Sequence, residues 1–205
     1  MTDVSDGDVA VIVYREDETW DTEVLPTALT EDLSGLIHAL RQQPSIGGTI
    51  GLVTVGDDFF VALRVIGGQV SVFLSDLTAA ADWPLARQVL EYLDIPIPGD
   101  EDLDQVLPAG DMSIFADLGI DEMDLGALAG DLDQFPDEAI AKIATRLGFG
   151  HDLHSREVFC LSGNASRGEH LVLSDLRLCW GNGAHRYDIG DHLDYTGCLS
   201  DMDEV

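Results

Sequence analysis

Ile50–Leu74 reads IGLVTVGDDFFVALRVIGGQVSVFL. Three apolar runs (Ile50 to Val55, Phe59 to Ile66, Val70 to Leu74) are joined by Gly56-Asp57-Asp58 and Gly67-Gly68-Gln69. Short connections containing Gly tolerate the positive φ of a tight reversal, so the stretch predicts an antiparallel meander. Upstream, VAVIVY (Val9 to Tyr14) is a further run of strand length. Trp20 to Leu25, beyond a charged turn that starts at Arg15, is a strand that pairs with it. Leu33, Leu36, Ile37 and Leu40 recur at helical spacing, with Thr30 read as N-cap, Glu31 and Asp32 in the first turn, and an end before Pro44. Downstream, Leu85, Val89 and Leu93 recur every four residues in a helix expected over Ala79 to Leu93. The order β-β-α-β-β-β-α predicts an α+β domain over residues 1–95, a single antiparallel sheet with its helices on one face. Val11, Val13, Leu36, Leu40, Val53, Val61, Leu63, Val72 and Leu74 are expected in one core.

Residues 96–116 alternate Pro and acid and read as a linker. From 117 to 150 the text DLGIDEMDLGALAGDLDQFPDEAIAKIATRLGFG predicts a helical hairpin. In its first helix Ile120, Met123, Leu125, Leu128 and Leu132 form the apolar stripe. The second opens on Pro136, whose missing N–H is harmless at a first helical position, with Asp137 and Glu138 favourable to the positive end of the helix dipole. Ile140, Ile143, Ala144 and Leu147 face inward, and Gly148 and Gly150 supply the stop. The outward face is acidic: Asp121, Glu122, Asp124, Asp131 and Asp133. This pair either caps the sheet or stands off on the linker.

The tail, residues 151–205, is different text. It holds all three Cys and five of the six His, and Gly and Ser interrupt most of its runs. It is expected to be atypical, disordered or not native to the protein, and dispensable for stability.

Charge is the outstanding property of the whole. Thirty-nine acids against ten bases give −29, and Lys142 is the lone Lys. Part of the Arg-over-Lys bias, with abundant Ala, Gly and Asp, follows from GC-rich coding. Such a field repels phosphate backbones and attracts basic proteins, so direct nucleic-acid binding is excluded and a basic partner is favoured. The acids also serve simply to keep the protein soluble. No run approaches the ~18 apolar residues of a membrane span. The acidic start MTDVSDGD is the reverse of a signal peptide, and no Cys precedes residue 160, so a cytoplasmic protein without disulfides is expected.

Motifs of chemistry are missing. Cys160, Cys179 and Cys198 lack the close pairing of zinc ligands. Asp100, Asp102 and Asp104 imitate an EF-hand, but Gln105 stands where the sharp turn needs Gly, and Asp111 where Glu should close the loop. No G-x-S-x-G elbow or phosphate loop occurs, and His38 is the one His before residue 151. No catalytic, cofactor-binding or metal-binding residue is assigned, and no cofactor is expected. An unrecognised ligand-binding or enzymatic site on the sheet would have to use Asp57, Asp58, Arg64 and Asp76. Turn chemistry explains these acids more simply.

The segment VLPAGDMSIFADLGIDEMDLGALAGDLDQFPDEAIAKIATRLGFG, with DWPLARQVLEYLDI and VAVIVYRED, resembles the tRNA adenosine deaminase-associated proteins of actinobacteria. The resemblance covers about residues 9–150, is most specific over 106–150, and ends before the tail. Those are small acidic proteins encoded beside a tRNA adenosine deaminase and sometimes fused to it. The resemblance implies an accessory role in tRNA modification, with such a deaminase or another basic protein as partner, and brings no site residues. A nucleobase deaminase itself needs H-x-E and P-C-x-x-C. Here Ala39-Leu40 follow His38 and no C-x-x-C occurs, so a non-catalytic companion is expected. Its five hairpin acids, Asp121, Glu122, Asp124, Asp131 and Asp133, are the expected contact face.

Overall fold

A computed structural model of the chain describes residues 8–16, 19–43, 45, 47–98, 106–131 and 133–155. Its strands are β1 (Val9–Glu16), β2 (Thr19–Val24), β3 (Thr49–Val55), β4 (Phe59–Ile66), β5 (Gln69–Leu74) and β6 (Ala109–Gly110). They form one sheet in the order β2-β1-β3-β4-β5-β6, antiparallel at every pairing. The helices are α1 (Leu33–Gln42), α2 (Pro84–Tyr92), α3 (Glu122–Ala129), α4 (Pro136–Leu147) and α5 (Gly150–Ser155). The α+β class, the single antiparallel sheet and the β-β-α-β-β-β-α order are as the sequence predicts. Residues 96–116 contain the short edge strand β6, where Ala109 and Gly110 pair with Leu74 and Phe73. Gly110 adopts a left-handed φ of 97°, which an L side chain rarely takes.

The expected single core is two cores, because successive residues of a strand point to opposite faces. On one face α1 and α2 cover Ala10, Ile12, Val53, Phe59, Val61, Leu63, Val72 and Leu74, and Leu36 and Leu40 pack there. On the other, Val11, Val13, Ile50, Leu52, Phe60 and Phe73 meet Leu125, Leu128, Ile140, Ile143, Leu147 and Leu153 of the last three helices. Val11 and Val13 therefore lie across the sheet from the seven residues grouped with them. The hairpin caps the sheet. All of β3 is buried, and β4 is buried up to Ile66 at its end. Covering on both faces explains why these runs are apolar throughout instead of alternating. At Gly51 a Cβ would stand 2.9 Å from Cδ1 of Leu40, so the absent side chain lets α1 seat closely on β3.

Capping corrects two details. Thr27–Glu31 form a 3-10 turn in which the buried Thr30 hydroxyl donates to the Thr27 carbonyl at 2.8 Å. Asp32 is the actual N-cap of α1, its carboxylate accepting the Gly35 N–H at 3.0 Å. A second 3-10 turn, Leu77–Ala81, occupies the start of the longer helix expected from Ala79, so α2 begins at Pro84. In the hairpin, Asp121 caps α3, Pro136 opens α4, and Gly148 closes it with a φ of 92°. α5 crosses the boundary set at residue 150. Its Leu153 is 1% exposed, beside the fully buried Phe149, which stacks at a tilt on Trp20 of β2 with centroids 5.3 Å apart. The expectation for the rest of the tail, and the Leu132 position of the stripe, fall outside the described residues.

Candidate functional site

The five hairpin acids fall into two groups along the chain: Asp121, Glu122 and Asp124 at the start of α3, Asp131 and Asp133 in the turn beyond its end. Three of the five have local tasks. Asp121 accepts the Asp124 N–H at 2.8 Å, and Asp131 accepts the Asp133 N–H at 3.2 Å. Asp124 bridges Arg146 of α4 at 3.1 Å, both side chains 47% exposed. Glu122 and Asp133 are exposed, and no side-chain partner engages either among the described residues. Within the first cluster lies Met123, 84% exposed, which the helical spacing assigns to the buried stripe. Small and apolar residues surround α3 on several sides, so spacing alone gave that helix no clear inward direction.

Beneath the α3–α4 turn is a cleft of about 190 Å³ lined by Asp57, Asp58, Ser75, Asp76, Asp131 and Gln134, among others. Three separate segments supply these groups: the β3–β4 turn, the exit of β5, and the hairpin turn. Burial first, then the neighbouring Asp57 and Asp82 charges, push the Asp58 carboxyl above its ordinary range. Asp76 is committed to local structure, accepting the Thr78 N–H at 2.9 Å, the Thr78 hydroxyl at 2.7 Å and the Leu107 N–H at 3.2 Å. Lys142 donates to the Gln134 side-chain oxygen, and the Gln134 Nε2 is buried without a partner. The cleft therefore offers carboxylates, one amide donor and the Ser75 hydroxyl, whose oxygen accepts the Phe60 N–H at 2.9 Å. Three of the four residues proposed for a sheet-face site meet here, together with one hairpin acid.

The fourth, Arg64, stands apart. Four residues along β4 from Phe60, about 13 Å, it is 5% exposed. Its guanidinium donates to the Ile114 carbonyl at 2.8 Å and forks onto Asp117, with Nη2 2.8 Å from Oδ2. The Arg64 hydrogen bonds hold the Asp117 carboxyl below its usual range. This pair ties the loop that leads into the hairpin to the middle of the sheet, so the role is anchorage. A lone Arg in FFVALRVI, in step with inward Phe60 and Ala62, was the available signal. His38 is exposed on α1, 2.6 Å from the Gln42 amide nitrogen. Among the described residues no three His, Cys, Asp or Glu gather as metal ligands.

The family model described as Rv3753c-like tRNA adenosine deaminase-associated protein matches residues 8–150, which takes in the whole sheet, the cleft and the hairpin. The chain belongs to this family. Protein Rv3753c of Mycobacterium tuberculosis (strain ATCC 25618 / H37Rv) is 37% identical over 154 residues, which span 74% of this chain and 87% of that protein. No solved structure matches significantly. The family is described by its association with a deaminase, not as a deaminase. All five hairpin acids and the cleft lie inside the matched span. No helix among the described residues is long and apolar enough to cross a membrane.

Proposed function

We propose that this protein is a non-catalytic, cytoplasmic accessory of a tRNA adenosine deaminase and docks on it through the acidic hairpin. One observation carries the reading: two carboxylate clusters flank α3, the first set around the exposed Met123 and the second opening onto the acid-lined cleft. An enzyme that holds tRNA needs a basic surface, because its substrate is a dense row of phosphates. Asp121, Glu122 and Asp124 meet such a surface at one end of α3, Asp131 and Asp133 at the other, and the Met123 thioether, set among the first three acids, adapts to apolar ground beside them. The dock lies outside the enzyme's tRNA groove, since an accessory has to permit turnover. Family membership supports the choice of partner class, and the missing H-x-E and P-C-x-x-C motifs support a role without chemistry.

A ligand-binding role for the cleft is the second reading, favoured by the unpartnered Gln134 Nε2 and the crowded Asp57 and Asp58. With Asp76 bound into a turn and the Ser75 oxygen engaged by the Phe60 N–H, the cleft fits reception of a partner's cationic side chain better than catalysis.

The test is titration of this protein with a tRNA adenosine deaminase from the same organism, followed by calorimetry at rising salt. Binding should weaken as salt rises. It should weaken again when Asp121, Glu122, Asp124, Asp131 and Asp133 become Asn or Gln, and added tRNA should leave it unchanged. No binding at low salt, with both proteins folded, rejects the proposal.

A further inference from the structure

Across the sheet from the hairpin, α1 and α2 enclose a groove of about 510 Å³ lined by Leu33, Ile37, Arg41, Gln88, Glu91 and Tyr92, among others. Its floor is braced. The Gln88 side chain accepts the Leu33 N–H at 3.1 Å and donates to the Glu31 carbonyl at 2.8 Å, which holds α2 against the start of α1. Tyr92 is 48% exposed at its margin. In a chain of net charge −29, the charged residues of these two helices are Arg41, Arg87 and Glu91, a balance of +1. Arg87 is turned onto the carbonyls of Ala80, at 2.7 Å, and Ala81. That leaves Arg41 on the α1 bank and Glu91 on the α2 bank. Neither side chain pairs with any other described residue.

We propose that this groove is the interface of a homodimer, in which a second copy of the chain docks across a two-fold axis running along the groove. That operation lays α1 of each copy over α2 of the other and brings Arg41 to the partner's Glu91 twice. A two-fold interface has to complement itself, and one cation and one anion on facing banks satisfy that condition. The near balance of charge within these two helices suits self-association better than the acidic hairpin does, because acidic surfaces of two such chains repel. A strongly basic partner gains more from the hairpin, and a phosphate-bearing one is opposed by Glu91. Tyr92, at the margin, supplies an amphipathic aromatic contact of the kind enriched at protein interfaces. The proposal is independent of the deaminase reading, which uses the opposite face.

Sedimentation velocity of the full chain over a dilution series, at physiological salt, tests it. The expected result is a dimer that dissociates on dilution. Arg41→Glu and Glu91→Arg should each weaken it by about ten-fold or more, since each turns two attractions into two repulsions. The double variant Arg41→Glu/Glu91→Arg should recover the dimer. Both side chains are exposed and unpaired, so melting curves should show the variants folded. A monomer at every concentration, a dimer indifferent to both single changes, or a double variant no tighter than the singles overturns the proposal.

Discussion

At Arg64 and at Asp58 burial and charge oppose each other, and the two sites resolve it in opposite senses. Arg64 is neutralised by Asp117, whose carboxyl is held low by the guanidinium. A depressed carboxylate stabilises the fold fully above its unfolded value near 3.9, and that stability drains away as pH falls through the lower folded value. Asp117→Asn should therefore destabilise at pH 7, by about 1 kcal/mol because the Asp117 side chain is 63% exposed, and the gap from wild type should close toward pH 2. Asp58 is raised, so its charge opposes folding at neutral pH and protonation relieves the strain. Asp58→Asn should raise the melting temperature at pH 7, and that gain should vanish in acid. Thermal melts of both variants across pH check the two signs. Opposite signs from two carboxylates of one chain are a stricter test than either shift alone.

Elements differ in how plainly the sequence announced them. The meander was legible because Gly56 and Gly67-Gly68 punctuate β-branched runs, and α4 because Pro136 and Gly148 bracket its stripe. The face on which each helix packs was not legible. β3 and β4 are apolar on both sides, so their pattern has no direction, and Val11 was grouped with residues behind the sheet. The two-residue β6 is too short to register inside an acidic, Pro-containing segment. The acids of α3 were readable as exposed, but the cleft is assembled from three distant segments, and only folding unites Asp57, Asp76 and Asp131. α5 carries the sharpest prediction at this scale. Its Leu153 is 1% exposed against the layer that contains Phe149. Truncation after Gly150 removes that burial and should cost about 2 kcal/mol, a fall in Tm of roughly 4–8 °C. Truncation after Ser155 keeps Leu153 and should spare that loss. Parallel melts of the two truncations separate the cases, and equal Tm values would show that Leu153 contributes nothing.

For the molecule as a whole, one charge imbalance should act with opposite signs on folding and on docking. Acids spread over a compact body repel each other, so added salt should raise the melting temperature by screening. The same salt should loosen the proposed complex with a deaminase, and a tRNA titration of this protein alone should give no binding even at low salt. The central strands add a consequence in time. β3 and β4 are covered from both sides, and one cover is made of residues that follow β5 by up to 79 positions, ending with Leu153. At ribosomal speeds of about 5–20 residues per second, that interval is on the order of 4–16 seconds. For those seconds each newborn sheet presents Val11, Ile50, Phe60 and Phe73 bare to its neighbours on the same message. The carboxylates that keep finished molecules apart keep the unfinished ones apart as well, until their second cover arrives.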